Sequence, residues 1–205
     1  LEGHFGHLTS VVISPDGTRI VSGSQDKTVR VWDISSAQCL NVLEGDDTCT
    51  ATVAMSPDGS LIASGSWDGK VRIWNANNGE FIKFLSNGDS VSSVTFSPDG
   101  HHLAAATRHN FIHLWDTMTG GLVRVLKGHT AAVMSVAYSP DGCRLVSASS
   151  DASIRVWDSS TGWCLRTLEG HNGPVHCVAY CPDGAHITSG SDDRTVRVWS
   201  IIYEV

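Results

Sequence analysis

A Ser-Pro-Asp-Gly tetrapeptide, or its near copy, recurs five times along the 205 residues, and a Trp stands 17 residues after each of its prolines. The prolines are Pro15, Pro57, Pro98, Pro140 and Pro182, and the tryptophans Trp32, Trp74, Trp115, Trp157 and Trp199. Both series step by 42, 41, 42 and 42. A period this strict over the whole chain means one supersecondary unit repeated five times, so the repeat constrains the fold before any local reading does. It also points to binding, because units that pack only on their neighbours present their loops as a surface.

The unit at 128–168 is legible in detail. Val133 to Ser139 is a β-rich run, and Pro140-Asp141-Gly142 is a tight turn in which Pro presets φ and Gly accepts positive φ. Arg144 to Ser149 forms a second strand, Ser150-Asp151-Ala152 a turn, and Ser153 to Trp157 an alternating third strand. Asp158 to Gly162 turns again before a fourth strand from Trp163 to Leu168. Four short strands joined by short turns make an antiparallel meander. A single meander cannot bury both faces, whereas stacked meanders can, which is the logic of a propeller blade. The expectation is one all-β domain over 1–205, with repeats at about 3–44, 45–85, 86–127, 128–169 and 170–205.

The units resemble WD40 repeats, whose marks are an early Gly-His and a closing Trp-Asp. Trp-Asp stands at Trp32-Asp33, Trp115-Asp116 and Trp157-Asp158, and drifts to Trp74-Asn75 and Trp199-Ser200. Gly-His stands at Gly3-His4, Gly128-His129 and Gly170-His171, and drifts to Gly45-Asp46 and Ser86-Asn87. The near-regular array is also similar to the WD arrays of large fungal and bacterial signalling NTPases, where such arrays act as recognition regions. The resemblance implies an all-β WD40-type β-propeller array of five four-stranded antiparallel blades, with strands named a to d from the centre outwards.

It also implies a polar network in each blade: a His in the d–a turn, a Ser on strand b, an Asp in the b–c turn and the strand-c Trp. By repeat position these are His4, Ser22, Asp26 and Trp32; then His129, Ser147, Asp151 and Trp157; then His171, Ser189, Asp193 and Trp199. Ser, His and Asp together could also be a catalytic triad, but that needs three identical active sites and a nucleophile on a packed strand. The structural reading explains the repetition directly, since each buried polar group finds its partner within its blade. The second repeat keeps Ser64, Asp68 and Trp74 but has Asp46 where His belongs, so two carboxylates are expected to approach near Ser64. The third has Asn87, Ala105 and His109, keeping only Trp115, and is expected to be the softest blade, with the lowest amide protection at 86–116.

Composition narrows the function. The net charge of −7 has no basic block, which argues against nucleic-acid binding. No apolar run of about 18 residues is present to span a membrane. Without a Gly-rich phosphate loop, an H-E-x-x-H or a paired-Cys motif, no cofactor, metal or enzymatic activity is expected. The adjacent His101 and His102 are read as a solvated loop. The six cysteines contain no C-x-x-C pair and are read as reduced and partly buried, in a cytoplasmic protein. Cys177 and Cys181, four apart on a strand, are about 13 Å from each other and cannot bridge.

What varies against the constant frame is the residue before the b–c Asp: Gln25, Trp67, Arg108, Ser150 and Asp192. The start of strand a varies too, through His7 and Thr9, Cys49 and Ala51, Ser90 and Ser92, Ala132 and Met134, and Pro174 and His176. These turns share the narrow face of a propeller, and an exposed Trp67 beside Arg108 resembles an interface hot spot; the other reading packs Trp67 flat on its own blade. Two functions remain. One is a non-catalytic protein–protein interaction scaffold that takes a protein or peptide, and the other is a carbohydrate-binding, lectin-like propeller. The second needs an aromatic platform at equivalent positions, and the extra Trp67 and Trp163 are not equivalent.

Propellers of this kind commonly have seven blades. Leu1-Glu2-Gly3-His4 matches the end of a strand d and its turn, while the tail Ile201 to Val205 lacks the c–d turn found in the other repeats. The chain, which opens on Leu1 and not Met, is therefore expected to be an incomplete five-blade array. Such an array is either excised from a larger ring or completed by another chain, with an open edge available for self-association.

Overall fold

The computed structural model describes residues 1–45 and 48–201. Its first sheet is β1 (Leu8–Ile13), β2 (Arg19–Ser24), β3 (Thr28–Asp33) and β4 (Cys39–Glu44), and its second is β5 (Thr50–Met55), β6 (Leu61–Ser66), β7 (Lys70–Asn75) and β8 (Phe81–Ser86). The third is β9 (Val91–Phe96), β10 (His102–Thr107), β11 (Phe111–Asp116) and β12 (Leu122–Lys127). The fourth is β13 (Val133–Tyr138), β14 (Arg144–Ser149), β15 (Ile154–Asp158) and β16 (Cys164–Leu168). The fifth, among the described residues, has three strands: β17 (Val175–Tyr180), β18 (His186–Ser191) and β19 (Val196–Ser200). All neighbours pair antiparallel in chain order, as the meander reading expects. Of the tail Ile201 to Val205, expected to lack a proper strand d, Ile201 is buried in the seam between the fourth and fifth sheets and the remainder lies outside the described residues.

The turns explain the repeat. Ser14 Oγ donates to Asp16 Oδ1, which also accepts the Thr18 N–H, and Ser14 Oγ accepts the Arg19 N–H at 2.8 Å. Gly17 supplies the positive φ of 70° that this turn needs. The hydrogen bond from Ser14, with help from Thr18, holds the Asp16 carboxyl down to about 2. The b–c turns share a second left-handed position, filled by Lys27, Gly69, Asn110, Ala152 and Arg194.

The core lies in the four seams between adjacent sheets. The second and third sheets enclose Val71, Ile73, Leu85, Val91, Val94 and Phe96, and the other seams repeat this composition. Hydroxyls lace the seams. Ser10 Oγ accepts the Val53 N–H of the next blade at 3.1 Å, and Ser93 Oγ accepts that of Val136 at 3.3 Å. Strands β1, β5, β9, β13 and β17 pack in series, and no packing of similar extent joins β17 back to β1. The array is therefore unclosed, and its end faces show it. Val11 is 65% exposed where its equivalent Val53 is 6%. At the other end Val198 is 67% exposed where its equivalent Val156 is fully buried.

The cysteines differ from expectation. All six are free thiols, but Cys39, Cys143, Cys164 and Cys177 are exposed and only Cys49 and Cys181 are partly buried. They lie on outer strands, turns or the open face of the fifth blade, where nothing packs over them.

Candidate interaction surface on the turn face

Among the described residues, three blades carry a complete hydrogen-bonded chain. In the fourth, the Trp157 indole N–H donates to Ser147 Oγ at 2.8 Å, Ser147 Oγ is 2.7 Å from His129 Nε2, and His129 Nδ1 is 2.8 Å from Asp151 Oδ2. The first blade repeats this through Trp32, Ser22, His4 and Asp26, and the fifth through Trp199, Ser189, His171 and Asp193. The direction follows from chemistry. Trp can only donate, so Ser spends its own proton on His Nε2, and the neutral imidazole donates from Nδ1 to Asp. Asp151 also accepts the Thr130 N–H and the Ser153 hydroxyl. Burial raises the Asp151 pKa, but the hydrogen bonds from Ser153, Thr130 and His129 outweigh it and hold the group at about 2. Burial pushes His129 below the usual imidazole range more strongly than Asp151 pulls it up, so the ring is neutral at pH 7. Ser22, Ser147 and Ser189 are buried, each accepting the Trp N–H and spending its proton on His, which suits a strut and not a nucleophile.

The second and third blades are wired differently. Trp74 still donates to Ser64, at 3.0 Å, but Asp68 Oδ2 takes the Arg72 guanidinium at 2.7 Å. Arg72 thus neutralises Asp68 from within the blade, and the expected approach of Asp46 lies outside the described residues. In the third blade Trp115 donates to Asn87 Oδ1 at 3.1 Å, and Asn87 Nδ2 donates to the Gly69 carbonyl of the preceding blade. The Trp is not left unpaired: the Asn amide does what the Ser hydroxyl does elsewhere, and Ala105, in the Ser position, is fully buried against the apolar seam. His109 stands in the b–c turn with its side chain 77% exposed, so it joins no buried network.

The variable turn positions lie on the same side of the molecule. Trp67 is 46% exposed, and the Arg108 guanidinium of the next blade sits 5.3 Å from its ring centre. Ser90 ties the two blades beneath them: its hydroxyl donates to the Trp67 carbonyl at 2.9 Å, and its carbonyl accepts the Arg108 N–H at 3.0 Å. Asp192 and His176 pair at 2.9 Å on the exposed rim of the fifth blade. Gln25 and His7 are exposed and joined through backbone, while Ser150 and Met134 are half-buried. Thr9 and Ser92 have a further role that sequence reasoning missed. Thr9 Oγ1 donates to the Gly23 and Thr50 carbonyls, and Ser92 Oγ to those of Ala106 and Val133, which clamps neighbouring blades together. Trp163 is exposed at the c–d turn, apart from Trp67.

Residues 8–167 match the family model described as the second β-propeller of echinoderm microtubule-associated protein, and residues 162–200 match the WD domain, G-beta repeat. Among curated relatives, a ribosome biogenesis protein BOP1 homolog of Monosiga brevicollis is 48% identical over 44 residues, 22% of this chain and 6% of that protein. The homolog of Drosophila melanogaster is 46% identical over 45 residues, again 22% of this chain and 6% of the relative. The chain thus aligns with a small part of these relatives, about one repeat. The strict repeat, the meander sheets, the Trp-anchored turns and the match over most of the chain make this protein a member of the WD-repeat β-propeller family.

Proposed function

We propose that this chain is a non-catalytic scaffold that holds a protein or peptide partner on its turn face, with Trp67 and Arg108 as the anchor. One observation carries this reading: a large aromatic ring and a guanidinium, 5.3 Å apart across a blade boundary, are both exposed. Trp and Arg supply disproportionate binding energy at interfaces, because each offers apolar area together with polar recognition. The recurring His, Ser and Asp of the first, fourth and fifth blades, by contrast, are engaged in hydrogen bonds within their own blades.

Gln25, Ser150, Asp192, His7, Thr9, Ser90, Ser92, Met134 and His176 extend the surface around this anchor, and an acidic chain without a basic block favours a protein partner over nucleic acid. The ribosome-biogenesis name of the relatives suits a role in assembling larger complexes. Six free thiols suit a reducing compartment, and the cytoplasm is the proposed location. Among the described residues no helix is long and apolar enough to cross a membrane. The carbohydrate reading draws no support from the aromatic positions, since Trp67 and Trp163 sit on different turns.

The test is a pair of variants read by pull-down with mass spectrometry and by thermal unfolding. Trp67→Ala is expected to weaken capture of the partner by about 2 kcal/mol or more with little change in Tm. Trp157→Ala is expected to cost about 3–5 kcal/mol of stability. If Trp67→Ala unfolds the chain as badly as Trp157→Ala, Trp67 is core and the reading fails. A glycan array that lights up in place of a protein partner also overturns it.

A further inference from the structure

We propose that the cavity on the turn side of the third blade binds a guanidinium group, the arginine side chain of a basic peptide. This rests on the reading of the turn face as the partner surface and names what the partner must carry.

The molecule supplies its own comparison. At one strand-c position four blades carry Arg: Arg30, Arg72, Arg155 and Arg197. Three of these guanidiniums lie over the Trp of their own blade at 5.8, 6.0 and 5.9 Å, and the fourth, Arg72, pairs with Asp68 at 2.7 Å. The third blade has His113 there, stacked on Trp115 with centroids 6.2 Å apart and planes at 21°. The same blade gains a carboxylate, Asp89, in the d–a turn, where the others have Gly6, Thr48, Ala131 and Gly173. A guanidinium is lost and a carboxylate gained at one place.

That carboxylate is left incomplete. Asp89 Oδ2 is buried, and neither it nor the buried His113 Nδ1 has a hydrogen-bond partner among the described residues. His109 Nδ1 is 3.7 Å from Asp89 Oδ2, beyond hydrogen-bond reach, and its side chain is mostly in solvent. Lys127 at the rim lies over the Phe111 ring at 5.5 Å and makes no ion pair with Asp89. A cavity of about 310 Å³ opens at these groups, with Asn87, Thr107, Phe111 and Val125 in its wall. Burial pushes His113 below the usual imidazole range, more than Asp89 raises it, so the ring is neutral and does not repel a cation. A planar guanidinium can donate to Asp89 Oδ2 and to the His113 Nδ1 lone pair from one fork, as a compact ammonium cannot. It also supplies the hydrogen bond that the buried Asp89 Oδ2 otherwise lacks.

The experiment titrates the whole chain with N-acetyl-arginine amide and, as the uncharged isostere, N-acetyl-citrulline amide, following the His113 imidazole by NMR. The expected result is a saturable His113 shift with millimolar affinity for the arginine compound alone. Asp89→Asn should weaken it by about tenfold, the loss of one charge-assisted hydrogen bond. His113→Arg, followed through the Asp89 and Thr107 backbone amides because the imidazole reporter is gone, should abolish saturable binding, since an arginine then stands at the strand-c position as in the other four blades. The Trp67 anchor is read by the partner pull-down and the cavity by this small probe, so failure of one is distinguished from failure of the other. An equal response to citrulline, no saturable shift, or full affinity in Asp89→Asn overturns the proposal.

Discussion

In the fourth blade Trp157 is tied through Ser147 and His129 to Asp151, and in the third Trp115 hangs from the single amide of Asn87. The two sheets nevertheless share strand order, register and bulge positions, and both tryptophans are buried. The frame is thus set by what the blades have in common: apolar seams, Ser-Pro-Asp-Gly turns and the left-handed b–c position. The polar chain behind the Trp stabilises a blade without defining it. Where the chain is complete, its groups are used up internally. Where it is broken, as in the third blade, Asp89 Oδ2 and His113 Nδ1 stand without a hydrogen-bond partner among the described residues.

The largest effect expected from this comparison is at the strand-b position. Ser147→Ala leaves the Trp157 N–H and His129 Nε2 without their shared partner and should cost about 1–3 kcal/mol in urea unfolding. Ala105→Ser in the third blade should gain none of this, because Asn87 already holds Trp115 and no His waits for the hydroxyl. Equal and opposite changes would mean that the network, and not the seam, builds the frame. A smaller effect is local opening: amides at 86–116 should exchange faster than those at 128–158, most of all in the turns. Equal protection would refute the softer third blade. The smallest effect is at the left-handed turn residues, Ala152 with φ 67° and Asn110 with φ 70°. Ala152→Gly should stabilise by about 0.5–1 kcal/mol by relieving an unfavourable φ, partly offset by the unfolded-chain entropy of Gly. Asn110→Gly should change Tm less, since Asn tolerates this region.

Much of this was legible from residues alone. The strands of the fourth repeat fall within one residue of where Pro-Asp-Gly and the alternating Val156-Trp157 pattern put them. Repetition supplied the network positions, because His4, His129 and His171 recur in register. What depends on a neighbour in space was not legible. The seam clamps of Thr9 and Ser92 join residues about one repeat apart, and nothing in either local sequence marks the contact. The substitution of Asn87 for a Ser 18 residues further on was invisible for a different reason: the amide reaches the same indole from another strand connection. Asp89 was missed because its position is Gly, Thr or Ala elsewhere, so no motif drew attention to it, and only the structure shows its buried Oδ2 to lack a hydrogen bond. The cysteine exposures failed because residue type gives average burial, and these sites face outward or onto an open end.

The claim that the fourth blade is closed on itself while the third is open at its turns is tested most directly by long-range ¹⁵N–¹H spectra of the imidazoles. The account predicts a slowly exchanging Nδ1–H and an unprotonated Nε2 on His129, with the ring still neutral below the usual imidazole range because burial disfavours its charge. His113, whose Nδ1 has no partner, should show no protected Nδ1–H. An Nε2–H tautomer on His129, or equal protection of the two rings, would contradict it.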